Sequence, residues 1–453
     1  IEILDSNKNV VRSWQSGTTP HTITGLNVDE TYTLRETVAP NGYTIATDTT
    51  FTIDKNGKVT STGTIRKDGV LLVEDDMTEI KVSKVDATGQ QEVAGATIVI
   101  LDSTGKTVTS WQSGTTPKTI TGLKTNETYT LRETVAPQGY VLATDTTFTI
   151  DDKGNVTSTG TIRKDGVLLV EDDMTVVEIS KVDITSQQEV SGATLQILDS
   201  NMQVVRSWQS GSTPEKITGL NINEMYTLRE TVAPAGYTLT TDTNFTIGKD
   251  GKVSYSGNVR TTDGVLLVED DVSKIYISKV EINGTSELAG ATLKLVKGQS
   301  ANGTDIVETW QTGKAPHKIE KLNDGFYTLV ETAAPQGYAI ASSKTFEIKD
   351  GHIVNTTNDT VKMEDAFETD ITFSKKAIGG VNELPGAQLT LYKVVPGGAN
   401  TKIESWQSGT TAHLVPNLAD GDYVLVEDAA PAGYFVTTAI NFTIANGKVT
   451  GQS

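Results

Sequence analysis

The chain has 453 residues, no cysteine and a formal net charge of −19. That length suits several domains better than one core, and the lack of cysteine excludes disulfides as staples. The negative charge would be repelled by nucleic acid and by an anionic membrane surface, so neither is expected as a partner.

Ile1 opens directly on a strand-like segment, with no basic-then-apolar leader, and no apolar run is long enough to span a bilayer. Targeting and anchoring segments of a parent protein are therefore expected outside this chain. The tryptophan of a Trp-Gln-Ser/Thr-Gly motif recurs at Trp14, Trp111, Trp208, Trp310 and Trp406, at intervals of 97, 97, 102 and 96 residues. A period of this size marks tandem domains, not turns of a solenoid. Self-alignment gives a partial unit at 1–76, complete units at 77–173, 174–271 and 272–366, and a partial unit at 367–453. The first unit starts at the counterpart of Thr97-Ile98-Val99-Ile100 and so lacks a first strand, and the fifth stops shortly after Lys448-Val449 and lacks a last strand. No Pro-rich or Gly/Ser-rich linker separates the units, so a stiff rod is expected.

Within each unit, short alternating runs rich in Thr, Val and Ile are punctuated by turn dipeptides such as Asn56-Gly57, Asp68-Gly69, Asp263-Gly264 and Asn446-Gly447. The segment from Phe51 through Asn56-Gly57 to Val59 predicts a hairpin, repeated at Phe148, Phe245, Phe346 and Phe442. With no 3.6-residue periodicity, the fold class is all-β: tandem immunoglobulin-like sandwiches.

Three polar residues sit where a half-buried strand presents apolar ones. Period-2 alternation aligns Lys84 with Ile80 and Val82, Lys181 with Val177 and Ile179, Lys279 with Ile275 and Ile277, and Lys375 with Ile371 and Phe373. In mid-unit the same rule aligns Glu36, Glu133, Glu230, Glu331 and Glu427 with a preceding Tyr and Leu, and in the closing strand it aligns Asp75, Asp172, Asp270 and Asp365 with apolar neighbours. Burying these charges costs several kcal/mol per ion unless they pair or neutralise. Desolvation favours a neutral amine and a protonated carboxyl group. That combination predicts amide formation between Lys and Asp, with Glu moving the proton and water leaving.

The runs Ser-Lys-Val-Asp, Ala/Ser-Gly-Ala-Thr, Glu-Thr-Val/Ala-Ala-Pro-x-Gly-Tyr and a Glu-Asp after an apolar strand closely resemble the collagen-adhesin B-type (Cna B-type, SpaA-like) domains of Gram-positive surface adhesins and pilins. The resemblance covers essentially the whole chain. It implies intramolecular isopeptide bonds from Lys84 to Asp172, Lys181 to Asp270 and Lys279 to Asp365, with Glu133, Glu230 and Glu331 as the catalytic acids. Glu36 and Asp75 lack a lysine in their unit, and Lys375 and Glu427 lack an aspartate, so three bonds are expected. The resemblance further implies an extracellular, cell-wall-attached stalk that is not an enzyme beyond its own single-turnover cross-linking. Its partners would be flanking repeats and, through a separate tip domain, a host extracellular-matrix protein. A second expectation is that the repeats themselves bind a matrix protein or glycan, and a third is an accessory module of a secreted enzyme.

Other motifs carry less. Asp151-Asp152-Lys153-Gly154-Asn155 and Lys249-Asp250-Gly251 lack the bidentate glutamate of a calcium loop and fit hairpin turns, so no metal and no cofactor are expected. His21, His317 and His413 share their repeat position with Lys118 and Glu215, which suits an exposed loop, and the tryptophans are expected to pack on the core. The Asn-x-Thr sequons at Asn126 and Asn244 are what chance gives in a Thr-rich chain.

Overall fold

A computed structural model describes residues 1–88, 91–260 and 262–452. All regular structure among these residues is β-strand.

The second repeat shows the plan. Its larger sheet runs in the order Val156–Ser158, Thr146–Ile150, Thr128–Val135, Thr97–Leu101, Thr107–Gln112, and its smaller sheet in the order Leu168–Asp172, Glu79–Asp86, Lys118–Thr121. Every pairing is antiparallel except one: the first strand, Glu79–Asp86, and the last, Leu168–Asp172, lie side by side in parallel. The third and fourth repeats keep this arrangement, with Val176–Asp183 parallel to Leu266–Asp270 and Lys274–Glu281 parallel to Thr360–Asp365.

The alternating residues of the two sheets meet in one core per repeat. In the second repeat Ile80, Val82, Ile98, Ile100, Leu131, Phe148, Ile150, Leu168 and Val170 are all buried together. Tyr129 faces Phe148 across the strands, ring centroids 5.4 Å apart, and its hydroxyl accepts the Lys124 N–H at 2.9 Å. A buried aromatic thus fills space while its polar end stays satisfied.

The two end repeats differ. The first has only the five-stranded sheet among the described residues, and Leu71–Val73 form no strand because no first strand pairs with them. The fifth has its large sheet and a two-stranded sheet, Glu368–Phe373 with His413–Ala419.

Consecutive repeats are joined by hydrogen bonds, not by slack chain. The Gly42 carbonyl accepts Thr78 N at 3.0 Å, and Ile45 N donates to Asp152 O of the next repeat at 2.9 Å. The counterparts are Gly139 with Thr175 at 2.9 Å and Leu142 with Lys249 at 3.1 Å, then Gly236 with Ser273 at 2.9 Å and Leu239 with Asp350 at 3.3 Å.

Two expectations need correction. His317 and His413 do not sit in loops: each begins a strand, stacks at 4.4 Å on Trp310 or Trp406, and bonds to Glu308 or Glu404. The alternation that orients the lysine also fails beyond Val82, because Ser83, Lys84, Val85 and Asp86 are all buried. Val85 packs with Val167 and Leu169 in a small second cluster, so this end of the strand is covered on both faces.

Candidate cross-linking site

The parallel pairing fixes where the lysine and aspartate can meet. Lys84 lies opposite Val170 and Asp86 opposite Asp172, so Asp172 is two residues further along the neighbouring strand on the face that Lys84 shares. A lysine side chain leaning along the strand covers that offset. The same register recurs as Lys181 opposite Val268, two before Asp270, and Lys279 opposite Met363, two before Asp365.

In all three complete repeats the lysine Nζ is in direct contact with the aspartate carboxyl: Lys84 with Asp172, Lys181 with Asp270 and Lys279 with Asp365. The glutamate comes from the other sheet. Nζ lies 3.5 Å from Glu133, 3.2 Å from Glu230 and 3.0 Å from Glu331. None of these side chains is more than 1% exposed.

Each glutamate is held by one oxygen. Oε2 accepts a backbone N–H ten residues on: Ala143 to Glu133 at 2.8 Å, Thr240 to Glu230 at 3.0 Å and Ala341 to Glu331 at 2.6 Å. Apart from the lysine Nζ, the Oε1 atoms of all three and both carboxyl oxygens of Asp172 and Asp270 are buried with no hydrogen-bond partner among the described residues. Buried acceptors left this way are costly as carboxylates and less so as neutral acids or amides.

Burial raises Glu133 and the three aspartates. It pushes Glu133 up to about 7 against the opposing pull of the Ala143 N–H and Lys84. It lifts Asp270 to about 7 and Asp365 to about 6, in each case against the pull of the lysine, and raises Asp172 as well. Burial thus shifts these carboxyl groups toward the protonated form, the form an amine can attack.

The first and fifth repeats hold partial sets among the described residues. Glu36 accepts Ala46 N at 2.9 Å and sits beside Asp75, whose carboxyl burial and the Glu36 charge push up to about 6. Lys375 is 3.0 Å from Glu427, which accepts Thr437 N at 2.7 Å.

An acid two residues after Lys84, Lys181 and Lys279 was not singled out from the sequence. Asp86, Asp183 and Glu281 stand in register with Asp172, Asp270 and Asp365. Tyr338 donates to Glu281 at 2.6 Å, and Tyr140 and Tyr237 are raised by burial and by Asp86 and Asp183 respectively. The recurrence of an acid at this step of Ser-Lys-Val-Asp and of Tyr in Pro-x-Gly-Tyr was the available signal.

The model of the SpaA prealbumin-like fold domain matches residues 1–67, 78–164, 175–260, 273–361 and 369–453. No curated protein matches the chain. Among solved structures it is similar to the Bacillus anthracis TIE protein, at 17% identity over 93% of this chain and 74% of that one, with a TM-score of 0.30. A streptococcal ancillary pilin shows 17% identity over 63% of this chain and 98% of its own, TM-score 0.25. BcpA, the major pilin subunit of Bacillus cereus, shows 13% over 63% and 99%, TM-score 0.25. With five matches that take in most of its length, the chain belongs to the SpaA prealbumin-like domain family and carries five of these domains in tandem.

Proposed function

We propose that this chain is a load-bearing segment of a Gram-positive surface stalk or pilus-like protein, and that each complete repeat locks itself with one Lys–Asp isopeptide bond. The observation that carries the reading is the buried contact of Lys, Asp and Glu, repeated in three units. In the reaction the neutral Nζ attacks Cγ of the protonated aspartic acid. The C–N bond forms, one N–H proton passes through the glutamate to the departing hydroxyl, the C–O bond breaks, and water leaves. The product is a neutral amide, so neither partner can carry a buried charge again.

The mechanical sense follows from topology. Tension enters a repeat through its first strand and leaves through its last, and these are the parallel neighbours that the bond would join. Force would then pass from strand to strand across one covalent link and leave the rest of the sandwich unloaded. Stalk function also suits the hydrogen-bonded joints between consecutive repeats.

Proteolytic mapping tests the chemistry. Digestion followed by tandem mass spectrometry is expected to yield branched peptides joining the Lys84 segment to that of Asp172, Lys181 to Asp270 and Lys279 to Asp365. Recovery of all six segments only as linear peptides would overturn the proposal.

A further inference from the structure

We infer that Glu92, Glu189 and Glu287 are positioning residues for the lysines of the three proposed cross-links, acting through the serine that precedes each lysine, and that Glu383 holds Ser374 in the same way in the fifth repeat. This rests on the cross-linking proposed above.

The first strand is paired on both sides for only part of its length. Its antiparallel neighbour Lys118–Thr121 spans Glu79 to Val82 and stops before Lys84. The corresponding neighbour stops at Ile179 in the third repeat and at Ile277 in the fourth, again two residues short of the lysine. The free edge is filled by a short return of chain. Val93 N donates to the Lys84 carbonyl at 2.8 Å, Val190 N to Lys181 at 2.7 Å, Leu288 N to Lys279 at 2.6 Å and Leu384 N to Lys375 at 2.7 Å.

One residue earlier in that return stands the glutamate. Its Oε1 accepts the serine hydroxyl: Ser83 to Glu92 at 2.5 Å, Ser180 to Glu189 at 2.7 Å, Ser278 to Glu287 at 2.6 Å, with the same pair between Ser374 and Glu383. In the fourth and fifth repeats Oε2 also accepts the lysine's own N–H, Lys279 to Glu287 and Lys375 to Glu383, both at 3.0 Å. In the third repeat Arg260 reaches Glu189 at 3.1 Å and the Ser180 hydroxyl at 3.0 Å, and in the second Arg163 lies 3.9 Å from Glu92.

The pair and the backbone bond beside it together do for this end of the strand what a neighbouring strand does elsewhere. The pair stands on the strand face opposite the reactive side chain, so it touches none of the reacting atoms. Its effect is to fix the strand where Nζ must reach one carboxyl carbon, and a misplacement of about 1 Å at such a centre can cost on the order of a hundredfold in rate. Serine before lysine in all four first strands, with an acid nine residues after each serine, is the sequence trace of this clamp.

The test follows formation of the Lys279–Asp365 bond in the full chain by intact mass and peptide mapping, from the earliest harvest onward. Glu287→Ala is expected to slow linkage of the fourth repeat at least tenfold, giving a species one water heavier that matures with time. Glu287→Gln, which keeps an acceptor for the hydroxyl, should recover most of the rate, and Ser278→Ala should fall between. A brace that matters only for stability is separated by melting: Glu287→Ala is compared with Glu287→Gln in a Lys279→Met chain that cannot link. Wild-type linkage rates in both Glu287→Ala and Ser278→Ala overturn the inference. So does slow linkage in Glu287→Ala that scales with loss of the fold and is not recovered by Glu287→Gln. If the unaltered chain forms no bond, the cross-linking proposal fails first, and the two failures are told apart by that control.

Discussion

Lys84 Nζ and Glu133 Oε1 lie 3.5 Å apart, and neither side chain is exposed to solvent. The glutamate is aimed by its other oxygen, which the Ala143 N–H holds at 2.8 Å. A carboxyl anchored by one oxygen keeps the second free to exchange a proton with whatever stands opposite. Here that is an amine already in contact with Asp172.

Removing that acid should remove the bond. Glu133→Ala is expected to leave the second repeat unlinked while the third and fourth still link, because each triad lies within its own repeat. Peptide mapping should then show Lys84 and Asp172 in separate peptides and the other two branched peptides intact.

Removing the nucleophile should expose the stability that the link supplies. Lys181→Met retains apolar volume at a buried site and cannot cross-link. A loop of nearly ninety residues constrained in the unfolded chain is worth roughly 4 to 5 kcal/mol by the entropic model used for disulfides. Differential scanning calorimetry should show one repeat melting well below the other complete ones. Reductant should not alter the melting of the unsubstituted chain.

The first repeat should respond to pH in the opposite sense from a salt-bridged acid. Burial and Glu36 raise Asp75 above its ordinary value of 3.8 to about 6. The folded form therefore binds the proton more tightly than the unfolded form. The stability this contributes is fully present below about 4 and is lost as pH rises through about 6. Hydrogen-exchange protection in residues 1–76, corrected for the intrinsic rate at each pH, should be greater at pH 5 than at pH 7, and Asp75→Asn should flatten that difference.

The joints should be sensitive to one methyl group. Gly139 has a φ of +81°, and a Cβ there would fall 2.9 Å from the Gly219 carbonyl oxygen of the next repeat. Gly139→Ala combines a strained backbone, about 1 to 3 kcal/mol, with a backbone clash. Small-angle scattering should show looser coupling of the second and third repeats, while the cross-links remain.

Much of this was legible in the residues. Period-2 alternation directs Lys84, Glu133 and Asp172 at the core, where the structure brings their side chains together, because a charged residue on an apolar row is conspicuous. The repeat made the pattern secure, since the same three positions recur at a fixed spacing. What alternation could not give was the neighbour of each strand. That the first and last strands run parallel, placing Asp172 two residues beyond Lys84's partner, is a long-range fact absent from local pattern. The histidines were misread for a related reason: the stacking of His317 on Trp310 depends on adjacent strands, and a polar residue at a variable position looks like a loop from sequence alone. The Ser83–Glu92 clamp escaped notice because both residues are ordinary on a strand and in a turn until their contact is seen.

The intact mass of the purified chain tests the central claim most directly. Each amide formed expels one water, so the chain should weigh three waters less than its sequence predicts, and replacing all three aspartates, Asp172, Asp270 and Asp365, by Ala should abolish the deficit. A mass equal to that of the linear polypeptide would contradict the account and leave three buried, unreacted ionic clusters in its place.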